Sequence, residues 1–198
     1  MRVSKRYVFL SAMLVISGIA VHAQETAPTP RVEVGFNYGL TRVNQGGTAA
    51  DFTQNGGSGD VEYNINRVVG LVADFGGYHN GDINNFQIDN TAFTYLFGPR
   101  FNWRMKRVTL YTQTLVGGAR ITASYYDPAS GARVDGHQNG FAAAMGGGMD
   151  IALNHHISVR PIQLEYLMTQ DPSPFTEVNH TQNNLRYSAG VTFRFGAK

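Results

Sequence analysis

The sequence predicts an all-β fold, an eight-stranded antiparallel up-and-down transmembrane β-barrel, and three observations predict it. Apolar residues recur with a period of two in eight successive segments after residue 31. The connections between those segments alternate long and short. The face opposite the apolar one carries glycine, small residues and isolated charges instead of a second apolar surface. Alternation marks strands, alternating connection length marks a meander, and a polar second face marks a barrel whose apolar side is turned toward lipid.

The chain reads as three segments. At residues 1–23, Arg2, Lys5 and Arg6 precede an apolar run from Tyr7 to Val21 that closes on Val21-His22-Ala23. A basic start, an apolar run too short to span a bilayer and small residues before a cut are the marks of a cleavable export signal. Residues 24–30 hold Pro28 and Pro30 and no hydrophobic period, and read as a short periplasmic leader. Residues 31–198 form the barrel. Removing the signal takes three of the 16 basic residues and leaves 13 against 14 acidic ones, so a nucleic-acid partner has no electrostatic support. The absence of cysteine excludes a disulfide framework and thiolate metal sites. Charged residues make up 15% of the chain, against about 25% in soluble domains, which points away from a cytosolic enzyme.

The first strand sets Val32, Val34, Phe36, Tyr38 and Leu40 outward against Glu33, Gly35, Asn37, Gly39 and Thr41. The second sets Val61, Tyr63 and Ile65 against Asp60, Glu62 and Asn64, and a tight turn at 66–67 leads to the third, where Val69, Leu71, Ala73 and Phe75 oppose Gly70, Val72 and Asp74. The fourth carries Phe93, Tyr95, Phe97, Phe101 and Trp103 on one side and Thr94, Leu96, Arg100 and Asn102 on the other. In the fifth, about 107–121, Val108, Leu110 and Val116 compete with Tyr111 and Leu115 for the apolar side, and Gln113 is assigned inward. The sixth opposes Phe141, Met145 and Met149 to Ala142, Ala144, Gly146, Gly148 and Asp150. The seventh, 156–168, opposes Ile162, Leu164 and Tyr166 to Pro161, Gln163, Glu165 and Leu167. The eighth opposes Leu185, Tyr187, Val191, Phe193 and Phe195 to Arg186, Ser188, Thr192 and Arg194. Long connections are expected near 42–59, 79–90, 122–138 and 169–183, and short ones at 66–67, 104–106 and 153–155. Pro99 and Pro161 fall inside strands of a barrel without edges, so each is expected at a bulge or a rim position.

The inward charges are Glu33, Glu62, Asp74, Arg100, Asp150, Glu165, Arg186 and Arg194. Five acids and three bases would be very costly in a dry core, whereas in a narrow lumen they can pair. Eight strands leave an interior just wide enough for side chains to fill, so the expectation is an ion-pair plug, with a narrow porin-like channel for small solutes as the alternative.

On these residues the chain resembles the OmpA/OmpX-like small outer-membrane barrels, the outer membrane protein β-barrel domain group. The resemblance runs from Val32 to Phe195. It is most specific in Ser188-Ala189-Gly190-Val191-Thr192-Phe193-Arg194-Phe195, where Ser188, Gly190, Phe193 and Phe195 match the terminal signal that such proteins present to the barrel-assembly machinery. It implies location in the outer membrane, contact with outer-membrane lipids, a monomer, no cofactor and a structural or surface-interaction role, and leaves the ligand of the loops open.

His156 and Ser158 stand two apart, as do the His and Ser of the lipid A deacylases of this fold, which makes a lipid-modifying enzyme a second alternative. The pair follows a short turn, Val159 replaces the Asn of that family's motif, and Glu165 faces the lumen, so no catalytic residue is assigned and the chain is read as not an enzyme. His79, Asp82, His137 and His180 share no ligand spacing and are read as solvated loop residues, with no metal assigned.

Overall fold

In a computed structural model, residues 29–44, 52–81, 89–126, 133–172 and 179–196 are described. The export signal and most of the leader lie outside the described residues. Eight strands form, β1 Val32–Val43, β2 Phe52–Asn64, β3 Val69–Asn80, β4 Asp89–Arg104, β5 Val108–Tyr126, β6 Arg133–Ala152, β7 Ile157–Pro172 and β8 Asn179–Phe195. Each pairs antiparallel with the next, and β1 closes on β8 from Val32 opposite Phe195 to Arg42 opposite Leu185. Closure pairs every strand on both sides and leaves no edge, the condition for a β-structure in hydrocarbon. The apolar faces point out: Phe36, Tyr38, Leu71, Phe97, Trp103, Val116, Met145, Tyr166 and Phe195 are all exposed. Gln113 is buried and faces inward with Tyr111 and Leu115, which fixes the ambiguous register of β5.

The strands run well beyond the apolar alternation. Residues 52–59, 122–126, 133–138 and 179–183, expected in long connections, are strand. The pairing of β5 with β6 continues to Tyr126 opposite Arg133. Alternation records only the part of a strand with lipid on one side. In these stretches the outward residues are polar or glycine, so no apolar alternation shows, while the backbone ladder continues and Phe52, Gln54 and Ala123 stay buried on the inward face. His79 and His137 accordingly sit on strands and not in loops, His79 with its Nδ1 2.9 Å from Thr91 Oγ1. Among the described residues no group of metal ligands gathers; Asp82 lies outside them, as does the His180 side chain.

The two prolines behave differently. At Pro161 the register shifts: Arg160 pairs with Gly190 and Gln163 with Ser188, so three steps on β7 span two on β8. The bulge absorbs the missing N–H and reverses the alternation of β7, so that Ser158 and Arg160 face inward before it, and Gln163, Glu165 and Leu167 after it. The expected inward place of Pro161 is therefore corrected to Arg160. Pro99 lies at neither a bulge nor a rim. It points outward opposite Leu71, and the β4 to β5 ladder passes over Gly98 and Pro99 and resumes at Arg100 opposite Gln113 in unchanged register. There the missing donor interrupts one ladder without displacing it.

Candidate functional site

The barrel interior is filled by a layered polar network. Glycines opposite large polar side chains make the room: an added Cβ at Gly35 would collide with the Asp60 carboxylate, one at Gly70 with Glu62, and one at Gly148 with the Tyr111 phenol. Gly35, Gly70 and Gly148 all stand on the inward face of the alternation. The wall is thinned where the contents are bulky.

Nearest the short turns, Glu33 accepts from Arg104 Nη2 at 2.6 Å and from Arg194 Nε at 3.3 Å. The next layer crosses the lumen. Arg100 donates from Nη1 to Glu62 at 3.0 Å, from Nη2 to Asp60 at 3.3 Å and from Nε to Gln113 at 2.7 Å. Arg160 donates to Asp60 at 2.7 Å and grips Asp150 with Nε and Nη2 at 2.8 and 3.2 Å, the two-pronged geometry that makes guanidinium–carboxylate pairs strong. The Tyr111 ring lies between these two cations, its centroid 4.3 Å from the Arg100 guanidinium carbon and 5.0 Å from that of Arg160, while its hydroxyl donates to Gln163. Above them Arg186 joins Glu165 at 2.7 Å and Asp74 at 3.1 Å, and Gln113 and Gln163 each donate to Glu165. Toward the long connections the lumen turns apolar, with Val72, Leu96, Leu115, Ala119, Ala142, Ala144 and Leu167 in one buried cluster.

All eight charged residues placed inward from sequence thus lie in this network, and sequence reasoning missed three more. Asp60 stands on the inward face and now takes both Arg100 and Arg160. Arg104, read as part of a turn, ends β4 with its side chain 6% exposed. Arg160 was hidden by the bulge at Pro161. Tyr111 and Gln163 complete the set: Gln163 is read inward, and the inward assignment of Gln113 places Tyr111, two residues before it, on the same face. The His156 and Ser158 pair does not assemble: His156 is exposed at a turn, Ser158 is buried and faces the lumen, and Glu165 is held by Arg186 and two glutamines.

The model of the outer membrane protein beta-barrel domain matches residues 11–195. The chain belongs to this family of outer-membrane β-barrels. Among solved structures it is similar to Ail, the attachment invasion locus protein of Yersinia pestis, at 18% identity and a TM-score of 0.62, covering 84% of this chain and 99% of Ail. Neisserial surface protein A aligns at 12% identity and a TM-score of 0.62, over 83% of this chain and 97% of that one. OprG from Pseudomonas aeruginosa aligns at 10% identity and a TM-score of 0.50, over 88% and 100%. A search of curated protein sequences finds no match. At these identities the likeness is one of fold, shared by a family of outer-membrane barrels.

Proposed function

We propose that this member of the family is a non-conducting, non-enzymatic barrel with a structural or surface-interaction role. It would be exported by the signal at residues 1–23, with both termini in the periplasm and the long connections outside. The observation that carries the reading is the filled lumen. Arg100, Arg160 and Arg186 reach across the interior at 1% exposure or less, and Leu96 and Leu115 close it above them at 0%. A side chain so placed leaves no water-sized path beside it, so the working surface is the outside of the molecule. Among the described strands β5 and β6 are the longest. They have 19 and 20 residues where β1 has 12, an excess of about 23 Å at the usual rise per residue. Ail carries attachment in its name and has been crystallised with the heparin analogue sucrose octasulfate, which suits a surface-interaction role for a barrel of this shape.

Two further expectations belong to this reading. Ser188, Gly190, Phe193 and Phe195 serve assembly by the barrel-assembly machinery, and the barrel works as a monomer among outer-membrane lipids without a cofactor. Planar-bilayer recording of the refolded protein tests the central point. The expected result is no steady conductance, and reproducible single-channel steps would favour the narrow channel.

A further inference from the structure

A concavity opens where the lumen meets the short turns. It encloses about 230 Å³, and its lining includes Arg104, Lys106, Arg107, His155, His156 and Arg194. Two carboxylates lie near, and both are buried and taken: Glu33 by Arg104 and Arg194, and Asp150 by Arg160. Four permanent positive charges therefore face the single negative charge of Glu33. The side chains of Lys106 and Arg107 make no hydrogen bond or ion pair with any described residue. Arg104 is the more telling residue. Its Nη2 is spent on Glu33 and on Asn64, but its Nε is buried without an acceptor, on a side chain more than nine-tenths buried in the wall of the cavity. A buried guanidinium N–H without an acceptor costs free energy, and a ligand oxygen relieves it only if the Arg104 side chain turns toward the cavity, since Nε itself is sealed from solvent.

We propose that this mouth is a binding site for a phosphate group. The surplus of positive charge exceeds what one carboxylate neutralises, and the donors outnumber its two oxygens. A phosphate group carries one or two negative charges and two or more terminal oxygens, from the diester of a phospholipid headgroup to free phosphate, and arginine forks and a lysine ammonium bind such oxygens well. Arg104 and Arg194 would back the site, and Lys106 and Arg107, on the turn between β4 and β5, would form its rim. The group could be borne by a free phosphate or phosphomonoester, or by the headgroup of an anionic phospholipid. The assignment is independent of the surface role.

The test uses the whole barrel refolded in non-ionic detergent and phosphate-free buffer. Titration with inorganic phosphate, read by calorimetry, is expected to give saturable one-to-one binding. The double variant Lys106→Gln/Arg107→Gln should weaken it by about tenfold or more, the equivalent of about one charge-assisted hydrogen bond. Arg31→Gln, at the same end but stacked on Tyr63 outside the cavity, should leave it unchanged. Native mass spectrometry with added phosphatidylglycerol or phosphatidylcholine forms the second arm. Retention of phosphatidylglycerol, lost in the double variant, identifies a lipid source, and phosphate binding without lipid retention identifies a free one. Heat-modifiable gel mobility verifies that each variant is folded. Absence of saturable binding in both arms, or binding that the double variant leaves intact, would overturn the proposal.

Discussion

Arg100 shows at the scale of a residue why the lumen network carries stability. Its guanidinium holds Asp60, Glu62 and Gln113 and stacks on Tyr111 at full burial. Truncation leaves two carboxylates with too little positive charge in a space that water reaches poorly, at a cost of about 3 to 5 kcal/mol. Arg133 offers the contrast, because it also pairs with a carboxylate, Asp135, but its side chain is 49% exposed at the start of β6. An exposed pair of this kind contributes about 0 to 1 kcal/mol. Arg100→Ala is therefore expected to lower the urea midpoint of unfolding in lipid or detergent well below that of Arg133→Ala, and equal midpoints would show that the lumen pairs are solvated. Tyr111→Leu keeps an apolar side chain, though a smaller one, while removing the ring that both cations contact and the hydroxyl bond to Gln163. It should cost about 2 kcal/mol or more, since desolvated cation–π contacts are worth about that much.

Elements were legible in the sequence to the extent that lipid writes on them. Where a strand has hydrocarbon on one side and a packed lumen on the other, period two fixed the facing of Glu33, Asp74, Arg186 and their neighbours. The segment Thr53-Gln54-Asn55-Gly56-Gly57 holds no apolar residue and so carries no such mark, although it pairs in register with β1 and in part with β3. The bulge at Pro161 was the other blind spot, because a one-residue insertion inverts every assignment on its far side and so concealed Arg160. Insertions should sort accordingly. A short epitope at Ser130, between β5 and β6, should be tolerated and reached by antibody on intact cells, whereas one at Gly57, inside β2, should reduce the yield of folded barrel. Detection at Ser130 only after permeabilisation would reverse the orientation. In β8, Phe195→Ala should lower the amount of membrane-inserted, heat-modifiable protein, because the strand closes the barrel through Val32 and, on the proposed reading, presents the assembly motif; wild-type amounts would remove the assembly role from Phe195.

For the molecule as a whole, stability and reach come from different heights of the same strands. The lumen ion pairs lie on the part of the barrel nearer the short turns, from Glu33 to Asp74 and Glu165. The long β5 and β6 extension lies at the far end and contributes nothing to them. Ile121 faces Gln138 across the hairpin, so residues 122–137 can be replaced by Asn-Gly, a two-residue turn whose twist suits an antiparallel pair. Among the described residues the change takes inter-strand partners from β4 at Asp89, Asn90 and Thr91 alone and leaves the closure of β1 on β8 untouched. The shortened barrel should then refold with an unfolding midpoint close to that of the full chain and remain non-conducting, while any adhesion of cells that depends on the full-length protein should fall. A shortened chain that cannot refold would place the extension in the folding core, and unchanged adhesion would move the interaction surface to one of the other three long connections.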